Sequence, residues 1–218
     1  MKPLIILNFK VYEESSGRRG VNLARKLSSI RTKGYDVILA PTLPTLSEIS
    51  HKVKLPVFSQ HADPVGLGAH TGQVSVDELK KIGVRGVILN HSERKIPFST
   101  LKKTVELCKK NRLVTVICAS SLSEIRKVAH LQPQYVCYEP KELIGGKVSV
   151  TEARPNIIVK AVDIVRQASP RTLVLCGAGI HSKADLGLAL MLGAHGVMIG
   201  HAVPKAANPK KFLQEMLL

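Results

Sequence analysis

The sequence contains no tryptophan, and phenylalanine and tyrosine together make up only 4% of its 218 residues. Proteins that bind single-stranded nucleic acid commonly stack the bases on aromatic side chains, so this composition disfavours such a platform. The apolar runs are also far shorter than the roughly 20 residues that a membrane-spanning helix needs. The first run, Leu4 to Leu7, gives way at once to the polar Asn8 and is too short for the apolar core of a signal peptide. We therefore predict a cytoplasmic protein that has no membrane partner and begins with a strand.

Cysteine is scarce as well, and its spacing excludes the common metal motifs. The four cysteines are Cys108, Cys118, Cys137 and Cys176, and they form no C-x-x-C pair. Three of them lie in short apolar runs typical of buried strands. We expect reduced, buried thiols, no metal and no cofactor.

Acidic residues are few in comparison with basic ones: 16 Asp and Glu stand against 32 Lys and Arg, which gives a net charge of +16. Such an excess can attract nucleic acid, and it can equally steer a small dianion such as a phosphate ester. The lysines are spread over several predicted helix surfaces, for example Lys80-Lys81 and Lys102-Lys103, and do not form a single stripe. We interpret the charge as a solvated basic surface and expect no nucleic-acid partner. Nucleic-acid binding remains the alternative.

Short apolar runs rich in Val, Ile and Leu alternate with longer amphipathic segments along the whole chain. Continuous apolar runs are typical of strands that are buried on both faces of a parallel sheet. This alternation predicts an α/β fold, and it fits both a closed barrel and an open doubly wound sheet. Because no linker divides the chain, we expect residues 1–218 to form one domain. The predicted strands are Leu4–Phe9, Val37–Ala40, Val57–Gln60, Gly86–Asn90, Val114–Ala119, Tyr135–Tyr138, Leu173–Cys176 and Gly196–Ile199.

Two of the intervening helices have clear local signals. Ser75 to Glu78 form a capping-box sequence, which predicts a helix that ends at Gly83. A second helix is predicted over Thr151–Gln167, with Pro155 close to its start.

Polar side chains follow three of the predicted strands, at the end where a barrel carries its reactive residues. Lys10 follows the first strand, His91 the fourth and Glu139 the sixth. A carboxylate beside an apolar strand can act as a base, a histidine can donate a hydrogen bond to a substrate oxygen, and a lysine supplies positive charge. Taken singly, each residue also fits an ordinary surface or structural role, and Glu93 fits either a catalytic role or that of a charge partner.

Small residues follow the last two predicted strands, in Gly177-Ala178-Gly179 and Gly200-His201-Ala202. They would let main-chain N–H groups approach a phosphate closely, and phosphate sites in barrels favour these two loops. The dinucleotide-binding pattern fails, because Ser182 occupies its last glycine position. A long segment with a glycine pair, 141–150, follows Glu139 and is a candidate lid. Together these features predict proton abstraction next to a carbonyl of a phosphorylated substrate.

Several segments resemble the triosephosphate isomerase family, and they occur in the family's order over nearly the whole chain. The resemblance implies a closed, single (β/α)8 barrel and a cofactor-independent isomerase that interconverts dihydroxyacetone phosphate and D-glyceraldehyde 3-phosphate through an enediolate. Another phosphate-binding barrel enzyme, a lyase or a synthase, is the alternative. The segments that resemble the catalytic ones are Asn8-Phe9-Lys10, Asn90-His91-Ser92-Glu93 and Tyr138-Glu139-Pro140. Those that resemble the short, archaeal-type branch are 60–63, 68–72, 142–145 and 176–180.

The resemblance also implies roles for individual residues. Glu139 would be the base, His91 a neutral electrophile that polarises the carbonyl, and Lys10 the positive charge that stabilises the enediolate. Glu93 would be a supporting charge. The substrate, a small phosphorylated triose, would be bound by Asn8, Phe9, Lys10, Ile144, Gly145, Gly179, Gly200 and His201.

The chain departs from the family pattern at the presumptive phosphate site and in the lid. Gly200-His201-Ala202 stands where the short branch usually has Ala-Ser-Gly, so His201 is either an additional anion-binding group or a solvent-facing loop residue. Lys141 and Gly146-Lys147 replace a proline and a Thr-Gly pair that are common in the lid. The resemblance further implies a homo-oligomer, a tetramer rather than a dimer, in which the loop Asp63–Val74 reaches into a neighbouring subunit.

Overall fold

The computed structural model describes residues 1–32, 34–140 and 149–217. Within them, eight parallel strands form one sheet in the order β2-β1-β8-β7-β6-β5-β4-β3. Leu39 in the second strand forms a parallel bridge with Val57, just ahead of the third strand, and this contact joins the two edges of the sheet. The sheet is therefore a nearly closed barrel, as the resemblance implied. The strands are β1 (Leu4–Asn8), β2 (Asp36–Ala40), β3 (Phe58–Ser59), β4 (Gly86–Leu89), β5 (Val114–Ala119), β6 (Tyr135–Tyr138), β7 (Leu173–Cys176) and β8 (Gly196–Ile199).

All eight predicted strands are present. The bounds of β5 to β8 are as predicted, β2 begins one residue earlier, β3 is shorter by one residue at each end, and β1 and β4 end where the backbone turns sharply. The fourth strand stops before Asn90, whose φ of 58° lies in the left-handed region and cannot continue a strand. The first strand likewise stops at Asn8, and Lys10 takes a φ of 47°. Both turns lie at the C-terminal end of the barrel.

Helices surround the barrel, and each strand is followed along the chain by at least one α-helix. The described α-helices are α1 (Gly17–Ser28), α2 (Leu46–Lys52), α3 (Val76–Lys81), α4 (Phe98–Lys110), α5 (Leu122–Ala129), α6 (Val150–Ala153), α7 (Pro155–Ala168), α8 (Lys183–Met191) and α9 (Pro209–Leu217). Short 3-10 helices cover Glu13–Ser15 and Leu43–Thr45. None of the helices in the described ranges is long and apolar enough to cross a membrane.

The two helix predictions had different outcomes. The Ser75 side chain caps α3 by accepting a hydrogen bond from the Glu78 N–H at 3.3 Å, as predicted. The single helix predicted over Thr151–Gln167 is wrong, because Arg154 separates α6 from α7 with φ −142° and ψ 53°. The ring of Pro155 disfavours helical geometry in the residue before it, and proline has no N–H to donate to the preceding turn.

The core consists of two apolar layers on the two faces of the same strands. Alternate residues point into the barrel or outward against the helices, which explains why the strand sequences are continuously apolar. All four cysteines are buried with free thiols, and Cys108 and Cys176 belong to the outer layer. The inner layer contains Leu4, Ile6, Ile38, Ala40, Phe58, Ile88, Val116, Cys118, Cys137, Leu175 and Met198.

Candidate active site

The C-terminal ends of β1, β4 and β6 bring the three predicted catalytic residues to one place. His91 Nε2 lies 3.4 Å from Glu139 Oε1. The Glu93 carboxylate lies between Lys10 and His91: its Oε1 is 2.7 Å from Lys10 Nζ, and its Oε2 is 3.6 Å from His91 Nδ1. A cation, an imidazole and a buried carboxylate therefore converge at the mouth of the barrel.

The main chain and its neighbours hold Lys10 in position. Its N–H donates to Asn8 Oδ1 at 3.0 Å, and its carbonyl accepts from Gln60 Nε2 at 3.2 Å. Gln60 also donates to the Ala40 carbonyl at 2.9 Å, so it ties the lysine turn to the end of β2. A Cβ added at Gly200 would lie 2.9 Å from Lys10 Cε, so the lysine stem runs over the bare backbone of that glycine. The role of Gln60 was missed in the sequence, where it reads as the last residue of a strand.

A backbone hydrogen bond fixes the tautomer of His91. The Glu93 N–H donates to His91 Nδ1 at 3.2 Å, so Nδ1 is an acceptor and carries no proton. The proton of a neutral imidazole is then on Nε2, the nitrogen that faces Glu139. In this tautomer the ring presents one N–H to the mouth of the barrel.

Asn90 sets the direction of the chain as it enters His91. Its Nδ2 donates to the Cys118 carbonyl at 2.9 Å and to Glu124 Oε1 at 2.8 Å. Its Oδ1 accepts from the Ile96 N–H at 3.2 Å. These three bonds stabilise the left-handed backbone conformation of Asn90, whose φ is 58°; this conformation is uncommon for a residue other than glycine.

Glu124, in the first turn of α5, is the centre of this supporting network. Its carboxylate accepts from Lys95 Nζ at 2.7 and 2.9 Å, and from the Ser120 N–H at 2.7 Å. Burial by itself raises the pKa of Glu124, but the hydrogen bonds from Lys95, Ser120 and Asn90 outweigh it and hold the pKa below its usual value. This link is not visible in the sequence, because an acidic residue three positions after a serine reads simply as part of a capping box.

Glu139 is almost completely enclosed, at 2% exposed. Its N–H donates to the Ala119 carbonyl at 2.8 Å, which extends the pairing of β5 with β6 by one residue. Oε1 faces His91, whereas Oε2 is buried and has no hydrogen-bond partner within the described ranges. A buried oxygen without a donor is energetically costly, and it is also free to accept a proton from a substrate.

The glycine loops after β7 and β8 border the same mouth. Gly179 has a φ of 65°, a conformation that favours glycine. A Cβ added at Gly177 would lie 2.6 Å from Glu139 Cγ, so only a glycine leaves the carboxylate its present position. His201 is exposed, and its ring makes an edge-to-face contact with the ring of Tyr12, with the ring centroids 6.0 Å apart.

Not every residue predicted to bind substrate lines the mouth of the barrel. Phe9 is fully buried in the outer apolar layer, so its side chain is part of the core. Ile144 and Gly145 lie outside the described residues, as do Lys141, Gly146 and Lys147 of the predicted lid. Asn8 is buried and lies at the end of β1 beside the lysine.

A cavity of about 440 Å³ opens beside these groups. It is large enough for a small ligand, and its lining residues come from the C-terminal ends of β1 to β4 and the segments that follow them. Its lining includes Asn8, Lys10, Val11, Thr42, Leu43, Pro44, Gln60, His61, His91 and Glu93.

Comparison with known proteins gives matches over nearly the whole chain to triosephosphate isomerases. A model described as triosephosphate isomerase matches residues 3–216. The triosephosphate isomerase of Methanothermus fervidus is 36% identical over 217 residues, which cover 99% of this chain and 98% of that protein. The protein of the same name from Saccharolobus solfataricus is 37% identical over 217 residues, with 99% and 95% covered. That from Methanosarcina acetivorans is 37% identical over 216 residues, with 99% and 97% covered.

Proposed function

Because the chain belongs to the triosephosphate isomerase family, we propose that it interconverts dihydroxyacetone phosphate and D-glyceraldehyde 3-phosphate without a cofactor. The observation that carries the proposal is the pairing of a buried carboxylate with an imidazole 3.4 Å away, beside a lysine fixed by its main chain. A lyase or synthase on the same fold would have no need of this arrangement.

Glu139 is proposed as the base that moves a proton between the two carbons of the substrate. It is almost completely buried and its Oε2 accepts no hydrogen bond from the described residues, so a lone pair is available to the C–H bond. After the first transfer, the protonated acid returns the proton to the neighbouring carbon.

His91 and Lys10 would stabilise the enediolate that forms between the two transfers. The Nε2–H of His91 can donate to the substrate carbonyl oxygen, and it can pass protons between the two substrate oxygens. The ammonium of Lys10 supplies the countercharge, and Glu93 holds that ammonium at 2.7 Å. Donors that are already oriented before the charge develops are the most effective means of lowering such a barrier.

The phosphate of the substrate would bind the backbone N–H groups around Gly179, Gly200 and His201, with Ile144 and Gly145 completing the site from the lid. The positive φ of Gly179 and the bare backbone of Gly200 suit close approach of an anion. A lid over residues 140–151 would exclude water, from which a reactive enediolate phosphate must be protected.

We also propose a homo-oligomer, with a tetramer favoured over a dimer. The loop after β3 is fastened at both ends, since Asp63 Oδ2 accepts from the Val74 N–H at 2.8 Å and Oδ1 pairs with His61 Nε2 at 3.0 Å. In this loop Leu67 is 57% exposed, and Val11 at the rim of the active-site cavity is 80% exposed. Insertion of one subunit's loop into the next subunit's cavity would cover both, and light scattering that gives the mass of a monomer would exclude it.

The reaction belongs to glycolysis and gluconeogenesis, and we expect the enzyme to work in the cytoplasm. The decisive test follows the conversion of D-glyceraldehyde 3-phosphate in a coupled assay without added metal or cofactor. The variant Glu139→Gln should lose about 10²- to 10⁴-fold in kcat, because an amide cannot accept the proton.

Matched variants make this test specific. Glu139→Asp keeps the carboxylate but shortens its reach, so it should retain more activity than Glu139→Gln. Circular dichroism should show that both variants are folded. Near-normal turnover in Glu139→Gln would remove Glu139 from the role of base.

A further inference from the structure

The candidate base belongs to a buried cluster of two thiols and one carboxylate. Cys118 in β5 and Cys137 in β6 are paired in register, and both belong to the layer inside the barrel. Glu139 follows Cys137 by two residues and so projects from the same side of the chain. The two Sγ atoms and a carboxylate oxygen of Glu139 all lie within 4.8 Å of one another.

The three side chains of this cluster are buried, and one carboxylate oxygen has no hydrogen-bond partner among the described residues. Both cysteines are 0% exposed, and Glu139 is 2% exposed. Oε2 of Glu139 is buried and has no partner within the described ranges. The neighbouring strand leaves room for the three groups, because a Cβ added at Gly177 would lie 2.5 Å from Cys137 Sγ.

We propose that Cys118, Cys137 and Glu139 form a binding site for a thiophilic divalent cation of the Zn²⁺ class, and that its occupancy inhibits the enzyme. Two thiolate sulfurs and one carboxylate oxygen are the donors that Zn²⁺ accepts in tetrahedral sites, and three protein ligands leave the fourth position open toward the mouth of the barrel. Metal–ligand distances of about 2.0–2.3 Å require donor atoms roughly 3.3–3.8 Å apart. The three donor atoms already lie within 4.8 Å of one another, so side-chain rotations that move them by roughly 1–1.5 Å at most would bring them to this spacing.

His91 is not one of the ligands. Its Nδ1 accepts the Glu93 N–H at 3.2 Å, so its other nitrogen carries the proton and has no lone pair for a metal. The cation would instead bind the Glu139 carboxylate, which the proposed mechanism uses as a base. Inhibition therefore rests on the proposed isomerase function, whereas binding itself does not.

Binding is an exchange of protons for metal and involves no oxidation. Each thiol gives up its proton to solvent as its S–metal bond forms. Linear spacing gave no hint of such a site, because the two cysteines are brought together only by the pairing of β5 with β6.

The test uses the full chain in a phosphine reductant that does not bind the metal. Co²⁺, a spectroscopic substitute for Zn²⁺, should bind with one equivalent and give the intense thiolate-to-cobalt absorption of a sulfur-ligated site. Zn²⁺ should inhibit isomerisation, and a chelator should restore it.

Two cysteine variants assign the site. Cys137→Ala should raise the inhibitory Zn²⁺ concentration at least about tenfold, since disturbing even a supporting contact of a metal site costs about 10- to 100-fold in affinity. Cys137→Ser provides a second variant of similar volume. Cys176→Ala is the matched control, because this buried cysteine lies on the adjacent strand but faces the outer layer, and its inhibition should equal that of the unaltered protein.

Equal inhibition of Cys137→Ala and Cys176→Ala, or cobalt bound without the thiolate band, would overturn the site. If the protein shows no isomerase activity at all, the cobalt spectrum of the variants still decides whether the cysteines bind metal. The failure of the proposed function and the failure of the metal site are thus separable.

Discussion

Removal of the Glu124 carboxylate should weaken both the fold and the catalytic step, because one side chain joins three segments around the active site. It binds Asn90 at 2.8 Å, Lys95 at 2.7 and 2.9 Å and the Ser120 N–H at 2.7 Å. Asn90 immediately precedes His91 and depends on its side-chain bonds to hold a φ of 58°. The perturbations are Glu124→Ala, which removes every acceptor, and Glu124→Gln, which keeps the size and one acceptor oxygen.

The hydrogen bonds set the magnitude. Hydrogen bonds to a charged group contribute about 1.5–3 kcal/mol each, whereas an exposed ion pair contributes about 0–1 kcal/mol. The side chains of Glu124 and Lys95 are 24% and 30% exposed, so the lower end applies to the bonds from Asn90 and Ser120, and about 0.5 kcal/mol to Lys95. Glu124→Ala should therefore lose about 3–4 kcal/mol of unfolding free energy, and Glu124→Gln about 1–2 kcal/mol.

The loss should depend on pH in a direction that the pKa of Glu124 determines. Because the pKa is lower in the folded than in the unfolded chain, the stabilisation is fully present above the unfolded pKa of about 4.3 and disappears as pH falls through the folded pKa. The difference in stability between the unaltered protein and Glu124→Gln should thus be largest at neutral pH and shrink below about pH 4.

Urea unfolding at several pH values, together with steady-state kinetics, measures these effects. We expect kcat to fall by about 10- to 100-fold in Glu124→Ala with a smaller change in KM, because a displaced His91 affects the transition state most. Glu48→Gln is the control, since Glu48 forms an exposed pair with Lys52 at 2.6 Å and should contribute little. Equal stability of Glu124→Gln and Glu48→Gln, or a difference that stays constant down to acid pH, would refute the reasoning.

Two further substitutions test the glycine loops. Gly177→Ala should lower kcat and cost about 1–3 kcal/mol of stability, because its Cβ would lie 2.5 Å from Cys137 Sγ and 2.6 Å from Glu139 Cγ. Gly187→Ala is the control, since a Cβ there meets nothing within 4 Å, and a Gly177→Ala variant with equal kinetics would show that the base tolerates displacement. His201→Ala should raise KM a few-fold at unchanged kcat, because the exposed ring belongs to the loop that we propose to bind the phosphate and not to the groups proposed to transfer protons. A fall in kcat as large as that of Glu139→Gln would give His201 a part in the chemistry.

The strands could be predicted from the sequence because a barrel strand is buried on both faces, one inside the barrel and one under the helices. Their ends could not be predicted as well, since the turns at Lys10 and Asn90 are stabilised by partners from other segments. Gln60 holds the first turn, and Glu124 holds the second. The helix predicted across Arg154 is wrong because the prediction followed the apolar spacing of the segment. In the structure the proline at position 155 begins a new helix.

The candidate catalytic residues were found by their positions at strand ends, which a parallel barrel brings together. Residues that act through contacts between neighbouring strands were not found in this way. Cys118 and Cys137 are 19 positions apart in the chain, yet the register of β5 on β6 makes them direct neighbours. Such pairs become visible only when the register of the strands is known.

Glu93 shows how one residue can support two groups through different atoms. Its backbone N–H fixes the tautomer of His91, and its carboxylate holds the ammonium of Lys10. The first contact requires only the local turn of the chain and is available to any residue with an N–H at this position. The second requires the acidic side chain, which is 55% exposed and open to the cavity. The tautomer of the imidazole is therefore set by the fold of the main chain, whereas the position of the lysine cation is set by side-chain chemistry, and the two can be altered separately.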